Sequence, residues 1–340
     1  MKKIFITGGA GFIGYNAANY FLQKNFKVKV FDNLIRAGSR TNLKNLDKRI
    51  LFERGDIRNF RAIFKSINQF NPDFILNCAG QVAVTKSVQN PRLDFESNAL
   101  GTFNLLEAVR NTKKKIRIVH LSTNKVYGDL KDIKINEKKF RYEFINKKIQ
   151  GITEKQNLEF HSPYGCSKGA SEQYILDYHK TFGLDGIVLR QSCIYGHNQF
   201  GIEDQGWIAW MILCFLKGKS INIFGDGKQV RDILHIDDLL KLFYKIFTIS
   251  KVKSRVYNVG GGKSNSISIL ELLNFLKKNY NKKINYTYNQ KRVGDQKLYI
   301  SDISRVKKEI NWSPKISKSQ GIKLILNWML KNLDSYKRLL

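Results

Sequence analysis

The chain has 340 residues and is 42% hydrophobic, which is enough for a sizeable core in one large domain or two medium ones. No apolar run reaches the roughly 18 residues of a membrane-spanning helix, and the N-terminus lacks the pattern of a signal peptide, so we expect a cytoplasmic protein with no membrane partner. The four cysteines form no C-x-x-C pair and the five histidines show no metal-ligand spacing, which predicts reduced thiols and no metal site.

The formal net charge of +31 is typical either of a nucleic-acid-binding protein or of a lysine-rich solvated surface. The lysines are scattered along the chain, and the densest run is only residues 113–115. No nucleic-acid-binding module or RNP-type aromatic motif is recognisable. The sequence therefore favours the solvated surface and no nucleic-acid partner, and the basic field would attract a small anionic substrate.

The first 190 residues alternate short apolar runs, typical of strands, with longer helical patterns. Strands are predicted at 3–7, 26–32, 50–53, 74–78, 117–122 and 187–190. Helices are predicted at 12–24, 61–70, 95–111 and 162–182, the last beginning at a Ser-Pro pair and ending before a glycine. This alternation predicts an α/β fold with a Rossmann-type, doubly wound parallel sheet.

Two later regions break this rhythm. Residues 129–160 are polar and weakly periodic, which predicts an insertion or long loop near the site. From residue 195 onward the chain has glycine-rich turns, a hydrophobic helix at 207–216 and a short strand at 221–224. We expect a smaller C-terminal domain, mainly 191–340, interleaved with a first domain at 1–190 to which 232–262 returns.

A glycine-rich segment, Thr7-Gly8-Gly9-Ala10-Gly11-Phe12-Ile13-Gly14, follows the first strand and opens the first helix. Its first glycine allows a tight turn, the next lets backbone approach a pyrophosphate, and the last lets the helix pack closely on the sheet. The helix N-terminus offers unpaired N–H groups to an anion. The segment predicts a dinucleotide site, although its G-x-x-G-x-x-G spacing differs from the commoner G-x-G-x-x-G and such glycines can also serve only a turn.

Two carboxylates after the next strands support a dinucleotide. Asp32 ends the second strand, where it can accept the adenosine ribose hydroxyls and repel a 2′-phosphate, so NAD is favoured over NADP. The nearby Arg36 leaves NADP open. Asp56 and Ile57 follow the third strand in a position suited to the adenine edge, although Asp56 can equally be a loop or cap residue.

A candidate catalytic pair, Tyr164 and Lys168, lies four residues apart on one face of a predicted helix. A free phenol has a pKa of about 10, and a nearby ammonium favours the phenolate. Tyr164 can then remove a proton from a sugar hydroxyl, while Lys168 also holds the nicotinamide ribose. Thr123, at the end of a central strand, can orient the reacting oxygen, or it can be an ordinary strand-end residue.

Taken together these motifs resemble the extended short-chain dehydrogenase/reductases, the NAD-dependent nucleotide-sugar epimerases and dehydratases. The resemblance covers nearly the whole chain. Further matching pieces are Gly55-Asp56-Ile57-Arg58, Asn98 through Ala108, Val230-Arg231-Asp232-Ile233-Leu234-His235 and Tyr257-Asn258-Val259-Gly260-Gly261. The resemblance implies an NAD-binding first domain that carries the catalytic pair and a second domain for a nucleotide sugar.

The resemblance also implies residue roles. The positions that line NAD in the family match Gly8, Gly11, Phe12, Ile13, Asp32, Asn33, Asp56, Ile57, Ala79, Gly80 and Lys168, with Asn98 nearby. Arg231 and Arg292 match positions that hold the substrate diphosphate, as suits guanidinium forks, although each can also form a surface salt bridge. The candidates for contacts with the sugar or base are Gln81, Thr123, Asn124, Gln199, Gln205 and Trp207.

Several stretches, among them His161 to Ala170 and Asp204-Gln205-Gly206-Trp207, are more specific. They resemble the branch of the family that epimerises CDP-paratose to CDP-tyvelose, in the synthesis of O-antigen sugars. This resemblance implies oxidation at C2 by a retained NAD, a 2-keto sugar, and reduction on its other face. The substrate it implies is a CDP-linked deoxyhexose.

Two positions depart from family patterns. The dehydratases carry Asp-Glu where this chain has Asn124-Lys125, and neither Asn nor a protonated Lys readily replaces an acid and base that eliminate water. Many members have Asn, in contact with the diphosphate, at the position of Cys193. Backbone or Gln199 would have to take over that contact, or the nucleotide lies differently.

Other functions stay open beside the 2-epimerase. A UDP-hexose 4-epimerase, or another nucleotide-sugar oxidoreductase of the family, would use the same Tyr164 and Lys168. A catalytically silent NAD-binding sensor is disfavoured because Tyr164, Lys168 and Thr123 are all present. Since relatives pair through helices at 95–111 and 164–182, we expect a homodimer or homotetramer.

Overall fold

The computed structural model describes residues 1–112, 114–292 and 294–336, so Lys113 of the lysine run lies outside the described residues. The chain divides into two compact units. Unit 1 comprises Met1–Thr123, Ser162–Arg190 and Leu239–Tyr257, and unit 2 comprises Asn124–His161, Gln191–Asp238 and Asn258–Leu340. Within the described residues, each helix is too short or too polar to span a bilayer.

The strands, in chain order, are β1 (Lys3–Thr7), β2 (Lys27–Asp32), β3 (Leu51–Arg54), β4 (Phe74–Asn77), β5 (Arg117–Thr123), β6 (Ile135–Glu137), β7 (Tyr142–Phe144), β8 (Asp185–Gln191), β9 (Cys193–Tyr195), β10 (Ile221–Phe224), β11 (Val230–His235), β12 (Val256–Val259), β13 (Ser266–Ser268), β14 (Tyr286–Asn289) and β15 (Leu298–Tyr299). The α-helices are α1 (Phe12–Gln23), α2 (Ser39–Lys44), α3 (Phe60–Phe70), α4 (Val84–Gln89), α5 (Pro91–Phe95), α6 (Gly101–Arg110), α7 (Ser162–Phe182), α8 (Trp207–Lys217), α9 (Ile236–Thr248), α10 (Ile269–Tyr280), α11 (Ser304–Ile310) and α12 (Lys318–Lys331).

Seven strands of the described chain form one sheet in the order β12-β8-β5-β4-β1-β2-β3. The neighbours from β5 to β3 pair in parallel. In β1, Ile4, Phe5 and Ile6 are all fully buried although they alternate between the two faces, as expected for a parallel strand covered on both sides. The predicted α/β Rossmann-type fold is thereby confirmed.

The helices of unit 1 show why the sequence folds this way. In α3 the apolar Ile63, Ile67 and Phe70 recur at helical spacing and are buried in a core that includes Phe5 and Ile75. The side chain of Asn59 accepts from the Ala62 backbone N–H at 3.1 Å and so caps the start of α3. This packing holds the helices against the sheet. The loops of the candidate site follow the carboxyl ends of its strands.

The single helix expected at 95–111 has a different form. Helical structure begins earlier, at α5, passes through a π-helical turn at Glu96–Leu100, and continues as α6. The Asn90 side chain caps α5 by accepting from the Leu93 N–H at 3.0 Å, and Pro91 occupies the first helical position, so the start signal lies before the apolar pattern. Extra residues in π turns are frequent at functional positions.

Unit 2 is built from small sheets and its own apolar cores. β9 and β15 pair with β11 in parallel, and β13 pairs with it in antiparallel. Residues 124–161 belong to this unit, and the polar stretch expected to be a long loop contains the antiparallel pair β6 and β7, where Tyr142 and Phe144 are buried. Helix α10 begins with a capping box in which Ser268 and Glu271 bond each other's backbone N–H groups.

Candidate active site

The glycine-rich segment forms a tight turn between β1 and α1. Gly8 has a left-handed φ of 63°, and its N–H donates to the Phe31 carbonyl of β2 at 2.8 Å. A Cβ at Gly14 would overlap the Gly8 carbonyl and lie 2.6 Å from Gly9 Cα, so only glycine lets α1 approach the turn this closely. Gly11 is the N-cap of α1, and among the described residues no side chain caps this helix or brings an acid to its first turn. The arrangement leaves N–H groups available to an anion.

Asp32 is buried at the end of β2 and braces this segment. Its Oδ2 accepts from the Ala10 N–H at 3.0 Å, and its Oδ1 accepts from the Leu34 N–H at 2.7 Å. Burial raises the pKa of Asp32, and these backbone bonds partly oppose the rise. Because two carboxylate oxygens offer about four acceptor positions, the side chain can still accept from a ligand.

The side chain of Asp56 ties the loops after β2 and β3 together. It accepts from Asn33 Nδ2 at 3.0 Å and from both Nε and a terminal nitrogen of Arg58, at 3.0 and 2.8 Å. Burial would raise the pKa of Asp56, but the bonds from Arg58 and Asn33 prevail and lower it to about 2. Ile57 packs in the core of unit 1, whereas Phe12 and Ile13 are half-buried at the start of α1.

Tyr164, Lys168 and Thr123 come together in unit 1. Thr123 is the last residue of β5, Tyr164 lies in the first turn of α7, and the Thr123 side chain hydrogen-bonds the phenol. All three are buried, with only 5% of Lys168 exposed. The structure therefore brings the predicted catalytic residues to one place.

Burial sets the electrostatics of this group. It raises the pKa of Tyr164 to about 12, with the Thr123 hydrogen bond and the Arg36 charge lowering it and Asp94 raising it. It lowers the pKa of Lys168 to about 8, against the carboxylates of Glu172 and Asp94. Desolvation thus disfavours both charged forms, but a Lys168 pKa of about 8 still leaves its ammonium the main form at neutral pH, whereas the Tyr164 phenol is neutral.

Asn98 belongs to a buried polar network that reaches the segment Ala79-Gly80-Gln81. Asn98 Nδ2 donates to the Gln81 carbonyl and to Ser167 Oγ, both at 3.0 Å. A Cβ at Gly80 would lie 2.6 Å from Asn98 Oδ1, so this glycine permits the contact. The Ala79 N–H donates to Thr7 Oγ1 at 3.2 Å.

The sequence did not predict that Asp94 and Arg36 interact with this group of residues. Asp94 is fully buried and accepts from Gln81 Nε2 at 2.8 Å and from Ser167 Oγ. Gln81, expected to contact substrate, has its amide bonded to Asp94 and to both backbone groups of Ala83. Arg36, considered only for a 2′-phosphate, interacts electrostatically with the Tyr164 phenol, and burial lowers its pKa. A charged residue in an apolar helical pattern was the signal for Asp94.

In unit 2, Asn124 and Lys125 occupy a 3₁₀ turn directly after β5. Asn124 Nδ2 donates to Gln296 Oε1 at 2.9 Å, and Lys125 Nζ donates to the Gly294 carbonyl at 2.8 Å. Burial and then the charge of Arg231 lower the pKa of Lys125 to about 8. The Asn124 amide is therefore engaged within the protein, whereas Lys125 is a cation that loses its proton unusually easily.

The two predicted diphosphate ligands both pair with carboxylates. Arg231, buried on β11, lies 2.6 Å from Asp295 Oδ1. Arg292 lies 3.2 Å from Asp204 Oδ1, and its guanidinium lies 3.8 Å from the centre of the Phe224 ring. Burial alone would raise the pKa of Asp295, but the surrounding cations, Arg231 first, hold it below its usual value.

The remaining predicted substrate residues lie around the start of α8. Trp207 Nε1 donates to Cys193 Sγ at 3.3 Å, so the thiol at the family's Asn position has a partner. Gln199 is buried, its Nε2 donating to the Ile194 carbonyl at 3.2 Å. Gln205 forms paired backbone bonds with Ile202 at 2.9 and 3.0 Å. These residues belong to unit 2 with Arg231 and Arg292.

A histidine group elsewhere in unit 2 bears on metal binding. His197, His235 and Asp237 offer donor atoms within 4.8 Å of one another. Ligand atoms of a four-coordinate zinc are closer, about 3.4 Å apart for bonds of about 2.1 Å. The Asp237 N–H also donates to His235 Nδ1 at 3.3 Å. This is the geometry of a hydrogen-bonded group, and the absence of a metal site stays a prediction.

Known proteins share this architecture and its motifs. Residues 5–325 match the family described as GDP-mannose 4,6 dehydratase. The chain is 43% identical to CDP-paratose 2-epimerase of Salmonella typhi, over 96% of this chain and 98% of that one. It superimposes on UDP-glucuronic acid 4-epimerase of Bacillus cereus, solved with UDP-glucuronic acid and NAD, with a TM-score of 0.83 at 26% identity over 97% and 99% of the chains. It superimposes on dTDP-glucose 4,6-dehydratase of Bacillus anthracis, solved with NAD, with a TM-score of 0.82 at 30% identity over the whole of both chains.

These matches confirm the family resemblance predicted from the sequence, and with it the use of NAD and the action on nucleotide sugars. The protein therefore belongs to the GDP-mannose 4,6 dehydratase family of NAD-dependent nucleotide-sugar epimerases and dehydratases, within the extended short-chain dehydrogenase/reductases.

Proposed function

We propose that this enzyme is a nucleotide-sugar 2-epimerase that converts CDP-paratose to CDP-tyvelose with a retained NAD. The observation that carries the proposal is the 43% identity to CDP-paratose 2-epimerase, which extends over 96% of this chain. The buried group of Thr123, Tyr164 and Lys168 supports it by supplying the proton chemistry that such a reaction needs.

The residues of unit 1 fit NAD. An uncapped α1 N-terminus behind the turn at Gly8 and Gly11 suits the pyrophosphate, with Phe12 and Ile13 beside it, and the Asp32 carboxylate suits the adenosine ribose. We assign the adenine side to Asn33, Asp56 and Ile57, and the nicotinamide side to Ala79, Gly80, Asn98 and Lys168. Bound NAD supplies an acceptor that takes a hydride from the sugar carbon and returns it, and its positive ring favours the phenolate.

The chain's own residues move the proton. Tyr164 Oη removes the proton of the C2 hydroxyl, and the Thr123 hydroxyl holds that oxygen in place. Burial and Asp94 raise the pKa of the phenol, whereas the Thr123 hydrogen bond and the Arg36 charge lower it. The role that we assign to the Lys168 ammonium, four residues along the same helix, is to favour the phenolate further. After the 2-keto sugar presents its other face, Tyr164 returns the proton to the same oxygen, so the sugar gains and loses no atoms.

Unit 2 supplies most of the proposed contacts with the nucleotide sugar. Arg231 and Arg292 are the ligands of the diphosphate, with guanidinium forks already oriented by Asp295 and Asp204. The further candidate contacts are Gln81, Thr123, Asn124, Gln199, Gln205 and Trp207. On this assignment unit 1 holds the cofactor and the catalytic residues, whereas unit 2 mainly recognises the substrate.

The pair Asn124-Lys125 favours epimerisation over dehydration. Elimination of water needs an acid and a base beside the ketone, and a carboxamide bonded to Gln296 cannot be either. The lowered pKa of Lys125 leaves one such group, not two. Epimerisation needs only the proton exchange at Tyr164.

A 4-epimerase acting on a UDP-hexose is the second candidate. The similarity to UDP-glucuronic acid 4-epimerase, with a TM-score of 0.83, favours it. The two functions differ in the sugar carbon that exchanges hydrogen with the cofactor. A catalytically silent sensor remains less favoured, since Tyr164 and Lys168 are both present and buried together.

Pairing of two copies through α6 and α7 is part of the proposal. Aromatic side chains gather on these helices, with Phe103 and Tyr174 rings 5.6 Å apart and Tyr178 and Phe182 rings 4.9 Å apart. Tyr174 and Phe182 remain 45% and 48% exposed. An exposed aromatic cluster of this kind favours burial against a second copy of the chain. This supports a homodimer, or a homotetramer built from two such dimers.

The test is incubation of the purified protein with CDP-paratose and no added NAD, with the configuration at C2 followed by NMR. Formation of CDP-tyvelose is the expected result, and NAD should be released when the protein is denatured. Turnover of a UDP-hexose but not of CDP-paratose would move the function to the 4-epimerase. NAD release without any turnover would favour the sensor.

A further inference from the structure

Three buried polar side chains lie side by side across the sheet of unit 1. Thr7 on β1 is in register with Asn77 on β4, and Asn77 is in register with His120 on β5. Thr7 Oγ1 donates to Asn77 Oδ1 at 2.6 Å, and Asn77 Nδ2 lies 3.0 Å from His120 Nδ1. None of the three is more than 1% exposed. A polar row of this kind in a sheet interior demands a reason, because buried polar groups are costly unless each has a partner.

The far side of the row meets α7. His120 Nε2 lies 3.4 Å from Lys168 Nζ and 3.0 Å from Ser171 Oγ, which in turn donates to the Lys168 carbonyl at 2.8 Å. The row thus runs from Thr7, whose neighbour Gly8 begins the dinucleotide turn, to the amine of the candidate catalytic lysine. The sequence around Thr7 or around Lys168 does not by itself predict this connection.

The donors and acceptors of the row decide what His120 can do. An ammonium only donates, so a charged Lys168 requires Nε2 as its acceptor, with the ring proton on Nδ1. A half-turn of the Asn77 carboxamide, whose oxygen and nitrogen are assigned from their partners, reverses its two contacts: its oxygen then accepts from Nδ1 and its nitrogen donates to Thr7 Oγ1. The Ser171 hydroxyl then gives its single proton to Nε2, beside the ammonium, and not to the Lys168 carbonyl. Burial and then the Lys168 charge keep the pKa of His120 well below its usual value, so the ring is neutral and able to accept.

We propose that His120 is a positioning residue for Lys168: its neutral imidazole accepts a hydrogen bond from the buried ammonium and ties it, through Asn77 and Thr7, to the floor of the dinucleotide turn. The inference rests on the proposed function for the role of Lys168. It adds a link between the dinucleotide turn and the lysine, beside the charges of Glu172 and Asp94 that act on its amine.

The test compares His120→Gln with His120→Asn. The longer carboxamide of Gln reaches the position of Nε2, whereas that of Asn reaches the position of Nδ1 and leaves Lys168 without its acceptor. We expect His120→Asn to lower kcat on CDP-paratose by about 10- to 100-fold and to raise the Kd for NAD, because a hydrogen bond to a charged group is lost. His120→Gln should stay within about fivefold of the wild type in both measurements. Both variants should lose a similar amount of thermal stability, since each gives up one of two ring contacts.

Ser66→Ala is the matched control. It removes a buried hydroxyl that donates to Glu53 Oε2 at 2.8 Å in the same unit and should lower Tm without changing kcat or NAD binding. Equal losses of kcat and NAD affinity in the Gln and Asn variants, or larger losses in Gln, would overturn the proposal. If His120→Asn does not fold, Asn77→Leu takes its place: it removes the partner of Nδ1, and unchanged kcat and NAD affinity would again overturn the proposal.

The NAD titration separates this inference from the proposed function. Suppose that the wild type does not turn over CDP-paratose, but that His120→Asn weakens NAD binding and His120→Gln does not. The proposed epimerase function is then wrong, and the role of His120 stands. If the wild type is active and the two variants bind NAD and turn over alike, the role of His120 fails alone.

Discussion

The phenol of Tyr164, in the first turn of α7, is hydrogen-bonded to the hydroxyl of Thr123, the last residue of β5. Both groups are buried, so the phenol has the pKa of a poor base, about 12, until positive charge is brought to it. The base is thus oriented before it is ionised.

Tyr164→Phe should retain NAD and lose about 10²- to 10⁴-fold in kcat, because it removes the only atom of that ring that can exchange a proton. Thr123→Val should lose less, since it removes an orienting hydroxyl and not the base. Epimerisation is followed by NMR and NAD is assayed after denaturation. Tyr178→Phe, on the same helix as Tyr164, loses a hydroxyl that donates to Glu107 of α6; it is the control and should remain active. A Tyr164→Phe enzyme of normal activity would eliminate Tyr164 as the base.

Lys168 should make activity and stability respond to pH in opposite directions. Burial lowers its pKa to about 8, below the unfolded value, so the unfolded chain binds more protons between about pH 8 and 10.5. Stability therefore rises with pH through this window, as the cost of the buried ammonium disappears. Activity should fall in the same window, because the ammonium that favours the phenolate is lost.

The measurement is kcat and Tm for the wild type and Lys168→Met from roughly pH 7 to 10. The variant should be nearly inactive throughout, and the difference in Tm between wild type and variant should shift in favour of the wild type as the pH rises. Taking the difference removes the contribution of Lys125, whose pKa is also about 8. A wild-type kcat that is constant up to pH 10 would contradict the assignment of Lys168 as a charged helper.

Chemistry that is local in sequence could be predicted, and chemistry that depends on strand register could not. The turn at Gly8 and the pair Tyr164 and Lys168 show their spacing within one loop or one helical turn. The partners in the row beneath Lys168 are 70 and 43 residues apart, and no periodicity specifies that Thr7, Asn77 and His120 meet. The π turn at Glu96–Leu100 was likewise hidden, because one extra residue in a helix barely alters an apolar pattern.

The same distinction applies to polar partners. Arg231 could be predicted as an anion ligand from its motif, but its pairing with Asp295 required the three-dimensional structure. Gln81 could be placed near the site, but not the bonds to Asp94 and Ala83 that engage its amide. Residue type indicates what a group can bind, whereas the fold decides which groups are already bound to each other.

Gly14→Ala should weaken both NAD binding and the fold. Its Cβ would overlap the Gly8 carbonyl, so α1 would have to move away from the turn, at a cost of about 1–3 kcal/mol in the free energy of unfolding. NAD retained after gel filtration and denaturant unfolding are the measurements. Asn19→Ala, on the same helix, removes an amide that donates to the Tyr15 carbonyl at 3.1 Å and should keep its NAD. Full NAD occupancy in Gly14→Ala would show that α1 does not hold the pyrophosphate.

Arg231→Met and Arg292→Met should each raise KM for the nucleotide sugar by about 10- to 100-fold with a smaller change in kcat, because the diphosphate lies away from the reacting carbon. Arg231→Met should be the more damaging to stability, since it removes a buried side chain and leaves the half-buried Asp295 with one cation fewer. Lys277→Met removes one exposed positive charge from the same unit and should leave KM unchanged. A fall in kcat with KM unaltered would place these arginines elsewhere in the mechanism.

The aromatic surface of α6 and α7 should determine the oligomeric state. Tyr174→Lys places a charge among Phe103, Tyr178 and Phe182, and burying that charge in a partner interface would be costly, so the assembly should dissociate at micromolar concentration in sedimentation velocity. Tyr288→Lys provides the comparison, because this side chain is 57% exposed on β14 of unit 2 and should leave the sedimentation coefficient unchanged. If Tyr174→Lys sediments as the wild type does, or if Tyr288→Lys alone dissociates, the pairing face lies elsewhere. Because Tyr174 is two turns beyond Lys168 on the same helix, a dissociated variant that also loses activity would further show that the position of α7 depends on the partner.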